Sequence, residues 1–270
     1  MICAGIDAGS RTVKVVLMDT DSRQILAHAI TDQGIEQDKI AKILFEKLLK
    51  ENQIKRKEVK RIAATGYGRD IIRLKRIADT TITEITCQAA GVRYFMLKAR
   101  TIIDIGGQDS KIIHLDGGGK VRDFAMNDRC AAGSGRFLEV IAERLKVNVG
   151  SLGKISSKSK RPAIISKRPA IISSMCVVFA ETEIVGLLAT GIPKQDIIAG
   201  IQKAIAVRIS SLAGSNLDSP IVFTGGVALI SGMAQALTST IGKKIETCPD
   251  PQFTCAIGAA IIASEQLSEI

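Results

Sequence analysis

The sequence predicts an α/β fold in which one strand–turn–strand unit occurs twice. The first copy lies in residues 1–19 and the second in residues 101–116, and each begins with an apolar strand that ends at an aspartate. Four residues have the same spacing in both copies, namely Asp7, Gly9, Lys14 and Asp19 in the first, and Asp104, Gly106, Lys111 and Asp116 in the second. Such internal similarity indicates a duplicated fold. Turns rich in glycine and hydroxyl side chains bind phosphate through backbone N–H groups, so we expect one phosphate loop in each half.

The segments between and after the two copies alternate between helices and short strands, as an α/β fold requires. Apolar residues at helical spacing predict helices at 35–51, from 82 onward, at 194–212, at 230–239 and from 256 onward. Short apolar runs predict strands at 62–64, 220–223 and 244–247. Glycine-rich turns follow two of these strands, at residues 65–69 and 224–226. Bare glycine backbone at such a turn allows a flat ligand to lie close to the chain.

The composition excludes several classes of protein. The chain has 270 residues, 46% of them hydrophobic, which suits one or two domains with a sizeable core. No apolar run reaches the roughly 18 residues of a membrane span, and Asp7 interrupts the apolar N-terminus before it resembles a signal peptide. We therefore expect a cytoplasmic protein that does not bind membranes. The net charge of +10 suits an anionic ligand or an acidic partner, but the nine Phe and Tyr residues do not alternate with basic ones, so we expect no nucleic-acid binding.

Two cysteines occur in similar settings that favour a reactive thiolate. Cys130 lies in a small-residue turn before apolar residues at helical spacing, and Cys176 follows two serines at the head of another expected helix. A thiol at a helix N-terminus is close to unpaired N–H groups and to the positive end of the helix dipole, which favour the metal-binding thiolate. The alternative for each is a buried cysteine at a tight turn. Four further cysteines lack this setting, and we expect them to be structural: Cys3, Cys87, Cys248 and Cys255.

The two Asp-x-Gly turns and the later Gly-Gly-Val resemble the actin, sugar-kinase and heat-shock-chaperone superfamily of ATPases, which has a duplicated ribonuclease-H-like fold. This resemblance implies two subdomains around a nucleotide cleft, with residues 1–100 and 255–270 in the first and residues 101–254 in the second. The segments 127–137 and 173–181 narrow the resemblance. The chain is similar to the ATP-dependent activators (component A) of 2-hydroxyacyl-CoA dehydratases, to the ATPase subunits of benzoyl-CoA reductases, and to the activators of double-cubane-cluster proteins.

In that family one 4Fe–4S cluster bridges a homodimer. ATP hydrolysis drives the delivery of low-potential electrons, taken from reduced ferredoxin or flavodoxin, to a partner iron–sulfur reductase or dehydratase. The resemblance implies the same function here, with ATP or ADP, Mg²⁺ and the cluster as cofactors. The residues support the stoichiometry independently. A four-iron cluster takes four thiolates, and two chains related by a two-fold axis would supply Cys130 and Cys176 twice.

The match of motifs also implies a role for individual residues. Asp7 and Asp104 would serve the magnesium ion and the attacking water, and Gln108 would lie near the terminal phosphate. Cys130 and Cys176 would ligate the cluster. The remaining contacts would come from Ser10, Arg11, Thr12, Val13 and Lys14 in the first phosphate loop, from Gly106 and Gly107 in the second, and from Gly225, Gly226 and Gln252 at the adenosine.

Three departures from the family pattern leave the partner enzyme open. Residues 11–13 read Arg-Thr-Val where dehydratase activators tend to have Thr-Ala-Ser, and Gln88 stands where they often have histidine. A perfect tandem repeat of seven residues, in 160–173, lengthens the segment between the two cluster cysteines. Two other functions within the superfamily are a small-molecule kinase with Asp104 as its base, and a non-redox ATPase switch. The short chain leaves little room for the added substrate domain of a kinase, and a kinase has no use for the paired cysteines.

Overall fold

A computed structural model of the chain describes residues 1–159 and 177–268. The described residues form two compact α/β units. The first contains residues 1–98, 119–121 and those from 252 onward, and the second contains residues 99–118 and 122–251. The tandem repeat and Cys176 lie outside the described residues. None of the described helices has the length and apolar character needed to cross a membrane.

The predicted helices and strands are present, with ends that differ by a few residues. The strands, in chain order, are β1 (Ile2–Ala8), β2 (Thr12–Asp19), β3 (Ile25–Asp32), β4 (Val59–Thr65), β5 (Thr80–Thr81), β6 (Thr101–Ile105), β7 (Ser110–Leu115), β8 (Val121–Asn127), β9 (Ile221–Thr224) and β10 (Ile245–Thr247). The α-helices are α1 (Gln37–Glu51), α2 (Arg69–Leu74), α3 (Glu84–Phe95), α4 (Gly135–Leu145), α5 (Leu152–Ser156), α6 (Val177–Ala189), α7 (Lys194–Ala213), α8 (Met233–Ile241) and α9 (Thr254–Ser268).

Both sheets have the same strand order, which agrees with the predicted duplication. The first sheet runs β3-β2-β1-β4-β5, and the second runs β8-β7-β6-β9-β10. In each, the central strand pairs antiparallel with its hairpin partner and parallel with a later strand. The register also repeats. Asp7 lies opposite Lys14 on β2, and Asp104 lies opposite Lys111 on β7.

Helices cover both faces of the first sheet. Helix α1 places Leu44, Phe45 and Leu48 in one core with the inward side chains of β1 and β2. On the other face, α9 approaches β1 and α3 through glycines. A Cβ at Gly5 would lie 1.9 Å from the Ala256 oxygen, and a Cβ at Gly258 would lie 1.8 Å from the Cys87 oxygen. Only glycine permits this backbone contact at either position.

The core of the second unit fixes the positions of α4 and α7. Helix α7 buries an isoleucine on almost every turn, at Ile197, Ile201, Ile205 and Ile209. These side chains share one core with the apolar face of α4 and with the strands β6 and β9. Because close-packed cores allow little movement of their elements, the first residues of α4 are held next to the turn that follows β6.

Candidate functional site

Each unit contains one of the predicted loops, and the same hydrogen bond closes both turns. The amide of Gly9 donates to the Thr12 oxygen at 3.1 Å, and the amide of Gly106 donates to the Asp109 oxygen at 3.0 Å. The residues between these pairs form the tip of each turn. Arg11 and Gln108 occupy equivalent places at the two tips, and both are exposed. Both tips therefore lie at the surface of their units, as a loop that contacts an anionic ligand requires.

The side chains of the first loop differ in their exposure. Ser10 and Thr12 are partly exposed, whereas Val13 is 0% exposed and packs in the core. Val13 also pairs with Ala8 across the hairpin. A phosphate therefore has access to the hydroxyls of Ser10 and Thr12 but only to the backbone of Val13.

Asp7 and Lys14 form a buried ion pair at the base of the first loop. Lys14 Nζ lies 2.8 Å from Asp7 Oδ2, and Asp7 is 4% exposed. Burial by itself would lower the pKa of Lys14, but the charge of Asp7 and its hydrogen bond outweigh burial and raise this pKa. The other carboxylate oxygen, Asp7 Oδ1, is buried and has no hydrogen-bond partner among the described residues. A buried oxygen of this kind suits a cation or a cation-bound water.

The second unit has a larger buried ion cluster at the equivalent place. Lys111 Nζ lies 2.8 Å from Asp109 Oδ2 and 3.6 Å from Asp104 Oδ2. Lys111 is 1% exposed, and both aspartates are 5% exposed. Lys111 therefore contacts the carboxylates of both Asp104 and Asp109 at the base of the second loop. Asp109 is not among the residues predicted from the sequence, although its position two residues before Lys111 was a usable signal.

A glycine with positive φ passes over each of the two aspartates. Gly66 follows β4 with φ +84°, and Gly225 follows β9 with φ +86°. A Cβ would lie 2.6 Å from Asp7 Oδ1 at Gly66, and 2.5 Å from Asp104 Oδ1 at Gly225. The turn at 65–69 therefore has the same place in the first unit as the Gly225-Gly226 turn has in the second. The sequence alone did not indicate this equivalence.

The predicted adenosine residues divide between the two units. Gly225 and Gly226 belong to the second unit, where the Gly225 amide donates to the Pro251 oxygen at 2.9 Å. Gly226 begins a short 3-10 turn. Gln252 belongs to the first unit, is partly buried, and precedes α9.

Cys130 lies farther from an α-helix than the sequence predicted. It is the residue before a 3-10 turn at Ala131–Gly133, and α4 begins only at Gly135. The Asn127 side chain donates to the Cys130 oxygen at 2.9 Å. Cys130 is partly exposed, and Arg208 Nη1 lies 3.6 Å from its sulfur. The positively charged group beside this thiol is therefore the guanidinium of Arg208.

The N-terminus of α4 instead donates hydrogen bonds to the second predicted phosphate loop. The amide of Gly135 donates to the Gly106 oxygen at 2.9 Å, and the amide of Arg136 donates to the Gly107 oxygen at 2.7 Å. Ser134 precedes the helix but does not cap it with its side chain. The first amides of an α-helix have no partner within the helix, and here the loop carbonyls satisfy two of them. Two hydrogen bonds thus join the predicted phosphate loop directly to the segment that carries Cys130.

The four cysteines that we expected to be structural are buried. Cys3 and Cys87 are 0% exposed, Cys248 is 2% exposed, and Cys255 is 6% exposed. Burial raises the pKa of both Cys87 and Cys248 to about 12. These two thiols therefore stay protonated at neutral pH and are poor metal ligands. Among the described residues, Cys130 is the cysteine that is partly exposed. No group of three or more His, Cys, Asp or Glu residues in that part of the chain is arranged to hold a metal.

Gln88 also has a clear structural role. It is 1% exposed, and its side-chain oxygen accepts hydrogen bonds from Cys255 Sγ at 2.7 Å and from Thr254 Oγ1 at 3.0 Å. These contacts join α3 to the first turn of α9. The glutamine that departs from the family pattern therefore holds two helices together.

Comparison with known proteins decides the family. The model of the BadF/BadG/BcrA/BcrD ATPase family matches residues 4–263. The chain belongs to this ATPase family. Membership confirms the predicted ATPase and the resemblance to dehydratase activators, and the roles of single residues stay predictions.

Relatives in this ATPase family include activators of several enzymes. The chain is 38% identical over 270 residues to the 2-hydroxyisocaproyl-CoA dehydratase activator of Clostridioides difficile, covering 100% of this chain and 97% of that one. It is 39% identical over 266 residues to the (R)-2-hydroxyglutaryl-CoA dehydratase activating ATPase of Acidaminococcus fermentans, covering 98% of each. It is 32% identical over 271 residues to a benzoyl-CoA reductase subunit of Thauera aromatica, covering 96% of this chain and 92% of that one.

Solved structures confirm the predicted fold. The 2-hydroxyisocaproyl-CoA dehydratase activator with bound ADPNP matches with a TM-score of 0.89 at 38% identity, covering 100% of this chain and 96% of that one. A ROK family glucokinase from Streptomyces griseus matches with a TM-score of 0.62 at 12% identity, covering 98% of this chain and 100% of that one. At this identity the glucokinase shows the shared fold alone, which agrees with the predicted sugar-kinase architecture.

Proposed function

We propose that this ATPase uses ATP to deliver low-potential electrons from a 4Fe–4S cluster to a partner iron–sulfur enzyme. The partner that we favour is a 2-hydroxyacyl-CoA dehydratase, because two activators of such enzymes are 38% and 39% identical to the chain, against 32% for the benzoyl-CoA reductase subunit. A double-cubane-cluster protein stays a second candidate partner. Reduced ferredoxin or flavodoxin would supply the electrons, and we expect the cytoplasm as the compartment.

ATP and Mg²⁺ would be bound by both loops. The hydroxyls of Ser10 and Thr12 and the tips of the two turns would contact phosphate oxygens. Asp7 Oδ1, which has no donor among the described residues, would bind the cation or its water, with Lys14 fixing the orientation of the carboxylate. Asp104 would have the corresponding role in the second unit, where Lys111 pairs with it and with Asp109. Gln108 is exposed at the tip of its turn and would sense the terminal phosphate.

The cluster would be shared by two chains. A four-iron cluster needs four thiolates, and the burial of four of the six cysteines leaves Cys130 and Cys176 as the ligands that we propose. Strand β8, which leads to Cys130, exposes Phe124 (49%) and Met126 (41%). Such exposed apolar side chains beside the ligand suit contact with a second chain. When bound, the cluster supplies one-electron chemistry, while the residues of the chain hold it and limit its contact with water.

One observation supports the coupling of nucleotide to electron transfer. The carbonyls of Gly106 and Gly107 accept the first two amide hydrogen bonds of α4, at 2.9 and 2.7 Å. A movement of this loop when the terminal phosphate binds or leaves would therefore shift the start of α4. Only Ser134 separates α4 from the 3-10 turn after Cys130, so that shift would reach the sulfur. A ligand changes such an equilibrium only through differential contacts with the two states, which the loop would provide.

Iron binding tests the proposal. We would reconstitute the protein anaerobically and measure iron, molecular mass and visible absorbance for the parent, Cys130→Ser and Cys248→Ser. The proposal predicts about four irons for every two chains in the parent, loss of iron in Cys130→Ser, and parental iron in the buried control Cys248→Ser. Undiminished iron in Cys130→Ser would contradict it. A colourless parent that hydrolyses ATP would instead favour a kinase or a non-redox switch of the same fold.

A further inference from the structure

We propose that Arg208 is the charge partner of the Cys130 sulfur and raises the reduction potential of the cluster held there. This inference rests on the proposed function, because it needs a cluster at Cys130. Arg208 lies 78 positions along the chain from Cys130, on α7, and its Nη1 atom is 3.6 Å from Cys130 Sγ. That distance is within hydrogen-bonding range for sulfur, and both residues are partly buried. No motif or spacing in the sequence indicates this pairing.

The structure holds the guanidinium in place from two directions. Two buried isoleucines anchor α7 on either side of Arg208. Ile205 lies one turn before it and Ile209 directly after it, and both are 0% exposed. The stem of Arg208 then crosses the 3-10 turn at Gly133, where a Cβ would lie 3.2 Å from Arg208 Cδ. Glycine at position 133 therefore leaves room for the arginine stem.

The cysteine side of the contact is also fixed. Asn127 donates to the Cys130 oxygen at 2.9 Å, and Ser134 Oγ donates to the Ala131 oxygen at 2.7 Å. These bonds hold the backbone at each end of the short turn. The sulfur and the guanidinium are therefore presented to each other by two ordered elements, and the contact does not depend on long flexible side chains alone.

The direction of the effect follows from charge. Reduction adds one negative charge to a cluster and its thiolates, and a nearby cation or N–H donor stabilises that added charge. Hydrogen bonds to the ligand sulfurs are among the factors that set cluster potentials. Removing the guanidinium should therefore make the midpoint potential more negative, so that the cluster is harder to reduce. A role in packing alone would leave the potential unchanged wherever the stem is preserved.

The test is a redox titration of the reconstituted protein, followed by EPR or visible absorbance. The variants are Arg208→Gln, Arg208→Met and Arg208→Lys, with Arg122→Gln as the control. Met keeps an unbranched stem across Gly133 without charge, and Lys keeps the charge. Arg122 lies on β8 and pairs with Asp218 at 3.3 Å, with its side chain 53% exposed, so its loss changes the net charge equally without a contact to sulfur.

We expect Arg208→Gln and Arg208→Met to lower the equilibrium constant for reduction about tenfold, which corresponds to about 59 mV for one electron. Arg208→Lys should restore most of the potential, and Arg122→Gln should match the parent. The proposal is overturned if either neutral variant keeps full iron and the parental potential, or if Arg122→Gln shifts the potential equally. A parent protein that binds no iron would overturn both the proposed function and this inference. Unchanged potentials in variants with full iron would overturn this inference alone.

Discussion

The change Gly225→Ala gives a sharp test of the site at the base of the second loop. Gly225 has φ +86°, and a Cβ there would lie 2.3 Å from the Ile105 oxygen and 2.5 Å from Asp104 Oδ1. Neither neighbour moves easily, since Ile105 ends the central strand β6 and Asp104 is held by Lys111 at 3.6 Å. Restoring ordinary contact distances would shift the chain after β9 or the Asp104 carboxylate by about 1 Å. A displacement of this size at a catalytic group can reduce the rate about 100-fold.

A second glycine with positive φ serves as the control for an alanine that meets no neighbouring atom. Gly242 has φ +75°, and a Cβ there would meet no heavy atom within 4 Å. Gly242→Ala places alanine in the left-handed region, at a cost of roughly 1–2 kcal/mol. Gly225 has ψ 172°, so Gly225→Ala places alanine in an extended positive-φ region, at a cost of roughly 1–3 kcal/mol, and only this variant displaces Asp104. A loss of this order lowers the melting temperature by a few degrees, about 2–4 °C per kcal/mol for a chain of this size.

The assay is ATP turnover at saturating ATP, with thermal unfolding measured on the same samples. We expect Gly225→Ala to lose about 100-fold in turnover, while Gly242→Ala keeps the parental rate with a slightly lower melting temperature. Gly66→Ala should resemble Gly225→Ala, because its Cβ would lie 2.6 Å from Asp7 Oδ1. Parental turnover in folded Gly225→Ala, or an equal loss in Gly242→Ala, would show that the close contact of Gly225 with Asp104 does not matter for turnover.

Three further predictions concern stability and coupling. Asp109→Asn should lower the free energy of unfolding by about 1.5–3 kcal/mol, since it weakens the charged hydrogen bond to buried Lys111 while Asp104 stays in place. Asp218→Asn, in an exposed pair, should cost less than about 1 kcal/mol, and equal urea midpoints for the two variants would contradict this. The pKa of Cys248 is raised to about 12 from 9.0, so its contribution to stability is complete below pH 9 and is lost as the pH rises towards 12. In Cys248→Ala, the free energy of unfolding should fall by up to about 4 kcal/mol less than in the parent as the pH rises from 9 towards 12. Parallel pH profiles of the urea midpoint for the two proteins would count against this. Gln108→Ala should keep the cluster and bind nucleotide but lose ATP-dependent electron transfer, a result that parental transfer rates would disprove.

The sequence predicted the duplicated fold well because its signals are local. The spacing from Asp7 to Lys14 equals that from Asp104 to Lys111. In both hairpins the strands then pair so that the aspartate lies opposite the lysine. The edge strand β3 was missed because its residues alternate between exposed and partly buried, without a buried apolar run to mark it.

The contacts that join the loop to the thiol could not be predicted. The bonds from Gly135 and Arg136 to Gly106 and Gly107 involve backbone atoms, which leave no signature in residue type. The contact of Arg208 with Cys130 joins residues 78 positions apart, and it depends on how α7 packs in the core. Such contacts are decided by tertiary packing, which periodicity and motif spacing do not specify.

The decisive measurement for this ATPase is electron transfer to a partner enzyme as a function of the bound nucleotide. The protein would be reconstituted anaerobically, reduced chemically, freed of reductant and mixed with an oxidised 2-hydroxyacyl-CoA dehydratase in the presence of ATP or ADP. Reduction of the dehydratase would be followed by EPR, with Gly242→Ala as the positive control and Gly225→Ala as the negative control. We expect reduction with ATP and none with ADP, and loss of reduction in Gly225→Ala while its cluster is retained. Equal reduction with ATP, with ADP and without nucleotide would contradict the coupling of ATP to electron delivery.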